Sequence, residues 1–238
     1  HLISSKVEVN DNPQSPSYPA LPFLSRNIEP GEGGSPFNVP VVWYGRPLGS
    51  EFKSPYSPKD IEQFNFNYSV SFLIDQKTDA EISITKSEHS NNHFRPDIID
   101  SRFLAAIKGN GGPDGDQTWN IFDSNQNSQS LIDYVRGAEV SSKIADLISL
   151  NGIFNTDKKG FNLAYGFQLN RESLDIHYDE ISRAEFDKDG KLIKTADLFF
   201  LGGGINLSKS RNSNAIFFEL EKNAFDNLDI RLAARYES

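Results

Sequence analysis

Three times along the chain, two runs of alternating apolar and polar residues are joined by a short polar turn, while the connections between these pairs are long, about forty or fifty residues. The clearest run is Phe64, Phe66, Tyr68, Val70, Phe72 and Ile74, interleaved with Asn65, Asn67, Ser69 and Ser71. A strand sends successive side chains to opposite faces, so this run predicts a strand over 61–74 with one aromatic face and one uncharged polar face. Asp75-Gln76-Lys77-Thr78 turns it into a second strand from Asp79 to about His89, with Ala80, Ile82 and Ile84 on one side. Val140–Phe154, a turn at 155–160 and Phe161–Arg171 form the next pair, and Ser213–Lys222 with Leu228–Tyr236 the last. Leu2–Val9 reads as a further strand, with Ile3, Val7 and Val9 at odd positions, which brings the count to about seven.

The long connections are predicted at about 10–60, 90–139 and 173–212. The first is rich in proline, from Pro13 to Pro58, and proline cannot donate to a ladder, so only a short extended piece at Val39–Tyr44 is expected there. Its aromatics Phe23, Phe37, Trp43, Tyr44, Phe52 and Tyr56 argue for a folded loop. The second holds two helices, over 98–108 ended by Gly109 and over 128–135 ended by Gly137. In the third, apolar residues change parity to Leu174, Ile176 and Tyr178, as if the strand leaves its apolar surroundings. A hairpin then turns at Asp189-Gly190, and Gly202-Gly203-Gly204 breaks the chain.

Short turns at one end and long loops at the other is the pattern of a transmembrane β-barrel. The competing arrangement is a soluble β-sandwich that packs its apolar faces together and binds carbohydrate or protein. Three features favour the barrel. The polar faces are rich in Asn, Gln, Ser and Thr and poor in Lys, aromatics lie near the ends of the apolar faces, and short and long connections alternate without exception. Seven strands leave two edges whose backbone groups lipid would not satisfy, so the expectation is an all-β, antiparallel, up-and-down segment of a larger barrel. The whole of 1–238 reads as that one partial-barrel domain, its long extracellular loops carrying the short helices.

Composition narrows the function. A net charge of -9 argues against a nucleic-acid partner. With no cysteine there is neither thiolate metal site nor cysteine nucleophile. The four histidines, His1, His89, His93 and His177, lie at no triad or ligand spacing, and no Gly-x-Ser-x-Gly elbow is present, so no enzyme and no cofactor are expected. Glu88, His89 and His93 could meet one metal, although a solvated cluster is the simpler reading. The oxygen-rich 109–116 segment lacks the acidic spacing of a calcium loop and reads as a turn.

Several segments resemble TonB-dependent outer-membrane receptors. Phe200-Leu201-Gly202-Gly203-Gly204, then Phe218-Glu219-Leu220, then Asn227-Leu228-Asp229-Ile230-Arg231-Leu232-Ala233-Ala234-Arg235-Tyr236-Glu237 is similar to the glycine-rich loop, F-x-E-L strand and following strand of their barrels. Leu163-Ala164-Tyr165-Gly166-Phe167 with Arg171-Glu172, Ser35-Pro36-Phe37-Asn38 with Gly45-Arg46-Pro47-Leu48-Gly49, and Trp119-Asn120-Ile121-Phe122-Asp123 resemble further elements of that family. The resemblance implies a barrel of roughly 22 strands in the outer membrane of a Gram-negative bacterium, closed by a plug and driven by the TonB complex. Its cargo would be a scarce small ligand such as a siderophore, vitamin or oligosaccharide, and outer-membrane lipid would surround it. No plug and no TonB box are read here, so the chain is expected to be an internal piece of such a barrel. Asn65, Asn67, Gln168, Glu219, Arg231 and Arg235 would face the lumen, the charged ones pairing across the wall or contacting a plug. Trp43, Tyr44, Arg46 and Trp119 are the loop groups best able to grip a ligand, or else they pack their own loops.

Overall fold

A computed structural model describes residues 1–11, 25–49, 52, 56–158, 160–225 and 228–238. Pro13, Pro16, Pro19, Pro22, Phe23 and Pro55 of the proline-rich connection lie outside the described residues, as do Lys159 in the second turn and Asp226 and Asn227 in the third.

One antiparallel sheet dominates. Its strands are β1 (Leu2–Asp11), β4 (Ser57–Asp75), β5 (Thr78–Ile98), β6 (Arg136–Lys158), β7 (Phe161–Tyr178), β10 (Leu207–Phe225) and β11 (Leu228–Glu237), in that spatial order. Each pairs with its neighbours in the chain, so the sheet is an up-and-down meander of seven strands that does not close on itself. Because directions alternate, β1 and β11 run the same way. An antiparallel closure of these edges therefore needs an odd number of additional strands.

The predicted strand cores are all present, and the structure lengthens them. β5 runs nine residues past His89 to Ile98, β6 begins at Arg136 rather than Val140, β7 continues to Tyr178, and β10 starts at Leu207. Leu207 pairs with Ile176 and Arg211 with Glu172, so the ends of the predicted 173–212 loop belong to the sheet. The 90–139 loop shrinks in the same way, to 99–135. Short hydrophobic alternation marks a strand most clearly where one face is continuously apolar; beyond that height apolar residues move to the other face, as at Leu174 and Ile176, and the signal breaks.

Register fixes which side chains share a face. Phe66, Tyr68, Val70 and Phe72 of β4 stand opposite Lys86, Ile84, Ile82 and Ala80 of β5, and these lead on to Ile148, Leu150, Gly152 and Phe154 of β6. The row continues through Leu169, Phe167 and Tyr165 of β7, Ile216 and Phe218 of β10, and Tyr236 and Ala234 of β11. The result is an apolar belt across the sheet on the side of the short turns. From Phe66 to Ile74 it spans about 26 Å along the strand, or about 20 Å of height at a barrel's tilt. Val70 is 43 % exposed, Tyr68 58 % and Ile216 63 %, and among the described residues no second sheet covers them. Two cross-strand contacts tighten the belt region: the Phe167 ring lies over Gly152, and on the other face the Phe217 ring lies over Gly166. Phe154 and Tyr165 stack with centroids 5.1 Å apart.

The edge strand β1 departs from this pattern. Its Ile3 and Val7 oppose Asn65 and Ile61, which places them on the polar side of the sheet.

The long connections build a cap with its own core at the far end. β2 (Arg26–Ile28) pairs with β3 (Val41–Trp43), which realises the extended piece expected near 39–44. Helix α1 (Asp100–Ile107) and helix α2 (Gln129–Val135) occupy the two predicted places, α2 capped by Ser128 Oγ accepting from Leu131 N–H. A two-stranded ribbon, β8 (Glu185–Phe186) with β9 (Leu192–Lys194), turns through Gly190 at φ 80°. Ile28, Trp43, Leu48, Phe103, Ile107, Trp119, Ile121, Leu131, Val135 and Phe199 pack into one cluster drawn from all three connections. Phe103 sits at its centre, edge-on to both Trp119 and Phe199.

Candidate functional site

The face opposite the apolar belt is a hydrogen-bonded polar surface, and the strand register brings all six predicted lumen residues onto it. Asn65 donates to Ser87 Oγ at 2.6 Å and Asn67 to Thr85 Oγ1 at 2.7 Å. Ser149, Asn170 and Ser213 continue a chain of side-chain bonds at 2.7 and 3.3 Å across β6, β7 and β10. Gln168 Oε1 accepts from Arg235 at 2.9 Å, and Arg231 pairs with Glu219 at 3.0 Å and Glu221 at 3.3 Å. The F-x-E-L strand and the strand after it thus become neighbours whose charges pair on one side while Ile216, Phe218, Leu220, Leu232 and Tyr236 share the other. Small uncharged side chains satisfy one another along the ladder and still offer spare donors and acceptors to water or a ligand.

Toward the cap this face hollows into a groove of ≈ 680 Å³ crossing five strands. Two cross-strand rows send their side chains into it, Asn65, Ser87, Leu147, Glu172, Arg211 and Gln63, His89, Ala145, Leu174, Lys209. The row between them, Phe64, Glu88, Asp146, Ser173, Ser210, also lines it while the register sends its side chains to the other face. Gln63 meets His89 Nδ1 at 3.2 Å, and Arg211 donates to Glu172 at 2.6 Å. Leu147, Lys209 and Arg211 escaped the sequence reading, and Leu174 was read only as a change of parity, because their rows lie above the belt. The alternation of Glu172, Leu174, Ile176 and Tyr178 against Arg171, Ser173, Asp175 and His177 was the available signal.

The loop candidates are not gathered into an open site. Trp43 and Trp119 lie inside the cap core, Trp119 at 0 % exposure and without a hydrogen-bond partner for its indole N–H among the described residues. Tyr44 is exposed and Arg46 half-buried on the adjoining turn. In this arrangement the two tryptophans pack their own loops.

One pair absent from the sequence reading does form. Ser57 Oγ stands 3.0 Å from His93 Nε2, on adjacent strands. Ser57 has 0 % exposure and its hydroxyl donates to Phe94 O at 3.2 Å, so no substrate carbonyl can reach it in this conformation. Glu88 points to the opposite face from His89 and His93, and among the described residues no three metal-ligating side chains converge. The 109–116 segment is a turn closed by mutual backbone bonds between Gly111 and Gln117.

Where the sheet meets the cap, two buried carboxylates hold a strap of the third connection. Asp97 accepts from the N–H groups of Ile98 at 2.7 Å, Phe200 at 3.0 Å and Leu201 at 2.6 Å. Glu139 accepts from Gly202 N–H at 2.9 Å and pairs with Arg95 at 2.9 Å. Burial pushes the Asp97 carboxyl up to about 6, against the downward pull of the Leu201, Ile98 and Phe200 donors, and the nearby Asp100 adds to the rise. The glycine-rich stretch is therefore a fastening point: Gly202 and Gly203 take φ of 94° and 89°, open to glycine at little cost.

No model of a known protein family matches the chain, and comparison with curated proteins finds no match.

Proposed function

We propose that this chain is part of the wall of a β-barrel in a bacterial outer membrane, and that the barrel takes up a small ligand in the manner of TonB-dependent receptors. The observation that carries the first half is the two-sidedness of a single sheet. An exposed apolar belt crosses all its long strands at one height, backed by a hydrogen-bonded polar face, with two-residue connections below and the capped loops above. A soluble sandwich would need a second layer over the belt. In lipid the belt needs no cover, and backbone groups within the sheet are already paired. Strands of 18 to 23 residues exceed the roughly 10 needed to cross a bilayer, so their upper halves stand clear of it and carry the cap.

Transport rests on the likeness of the β10–β11 hairpin and its glycine-rich approach to the receptor family. The two parallel-running edges leave an odd number of further strands to close such a barrel, and a plug with its TonB contact would come from elsewhere in such a protein.

Paired arginine substitutions test the reading. Val70→Arg puts a charge into the belt and Ser69→Arg puts one on the polar face one residue away. With the protein folded into phospholipid vesicles, denaturant titration should show Val70→Arg losing about 2–4 kcal/mol and Ser69→Arg under about 1 kcal/mol. Equal losses, or stable folding without lipid or detergent, would sink the proposal.

A further inference from the structure

The cap-side half of the polar face has a charge of its own. Between the levels of Asn65 and Ile61 it carries Lys143, Lys209 and Arg211 against Glu172, in a chain whose net charge is -9. The other face at the same height carries Glu8, Asp60, Glu62, Glu88, Asp146 and Asp175 against Lys6, which is paired with Glu62. Acidic groups thus sit outside and cationic groups inside, on opposite sides of one sheet. The groove lies within this cationic half and is graded from edge to edge. Gln63 and His89 offer hydrogen bonds on β4 and β5, Leu147 and Leu174 form an apolar middle on β6 and β7, and Lys209 and Arg211 stand on β10. Arg211 is already paired with Glu172, whereas Lys209 is exposed and has no carboxylate partner among the described residues. A volume of ≈ 680 Å³ with an apolar floor and a few convergent polar groups is what a small organic ligand requires.

We propose that this groove binds an amphipathic organic anion, its apolar body on Leu147 and Leu174, its carboxylate or sulfonate at Lys209 beside Arg211, and its hydrogen-bonding end at Gln63 and His89. The assignment names a ligand class for the uptake reading and depends on that reading for access only. Binding itself needs just the groove. The local field concentrates anions over the inner face, and the acidic outer rim keeps them from the opposite one.

The test uses the complete barrel that contains this chain, folded in phospholipid vesicles, with 4-fluorobenzoate as the probe and neutral 4-fluorobenzamide as its shape match, both followed by fluorine NMR. Benzoate should bind about tenfold tighter than benzamide, and raising salt from about 50 to about 500 mM should remove most of that difference. Lys209→Glu should weaken benzoate about tenfold and leave benzamide unchanged, and Lys209→Gln, kept in case charge reversal disturbs folding, about threefold. Leu174→Asn should weaken both probes, and Lys6→Glu on the opposite face neither. Equal affinity for the two probes, or benzoate binding indifferent to both Lys209 variants, overturns the proposal. Lipid insertion that still discriminates Val70→Arg from Ser69→Arg, together with no benzoate binding, overturns the groove alone. Benzoate binding by a chain that tolerates both arginines overturns the membrane reading alone.

Discussion

Asp97 makes the stability of the cap depend on pH in an unusual direction. Its carboxyl is pushed up to about 6 in the folded protein from 3.8 when exposed. The folded state therefore holds this proton more tightly than the unfolded one. Stability from this group is full below the unfolded value, falls as pH rises from about 4 through about 6, and is level above that. Integrated between pH 4 and 7.5, the penalty for ionising Asp97 comes to about 2 kcal/mol. Both tryptophans of the chain, Trp43 and Trp119, sit in the cap core, so intrinsic fluorescence reports the unfolding of this part alone. The quantity to measure is the difference between the native chain and Asp97→Asn, which isolates this one carboxyl. Asparagine cannot titrate, and it turns one of the two accepting oxygens into a donor facing the N–H of Ile98 or those of Phe200 and Leu201. The variant should be less stable at every pH, and its deficit should shrink by about 2 kcal/mol from pH 4 to 7.5. A deficit that stays constant across that range, or grows, refutes the reasoning.

The remaining predictions concern packing. Trp119→Ala should cost the cap about 3–5 kcal/mol, since the ring is fully enclosed against Phe103, and Trp119→Phe much less, because it also removes an indole N–H that has no partner among the described residues; fluorescence from Trp43 follows both. Gly166→Ala should lose about 1–3 kcal/mol in thermal unfolding, as a Cβ there would press on Gly152 O and stand 2.6 Å from the Phe217 ring.

Strand cores and their facing were legible because period-two patterning is a direct image of the pleat wherever one face is apolar. Phe66, Tyr68 and Val70 marked one face and Asn65, Asn67 and Ser69 the other, and the register confirms that they share faces with Ile84 and Thr85 as the pattern required. The helices at 100–107 and 129–135 were legible from their spacing, and the first also from its Gly109 stop, whereas Gly137 lies inside β6 and ends no helix. Strand ends were not, because at Leu174 and Ile176 the apolar residues change parity, which reads as a break, and around Lys209 the residues are polar on both faces. The groove fell in that stretch, so its residues were missed.

The sequence alone determined an all-β meander of seven antiparallel strands, short connections at one end, long ones at the other, and the polar identity of one face. These follow from local rules: pleat period, proline exclusion and turn chemistry. Only the tertiary structure decided that Trp43, Phe103, Trp119, Val135 and Phe199, scattered over three connections, form one core and that Asp97 and Glu139 fasten a strap from more than sixty residues away. Such contacts are chosen by shape and by the need to satisfy buried groups across distant segments, and no local pattern records which segments will meet.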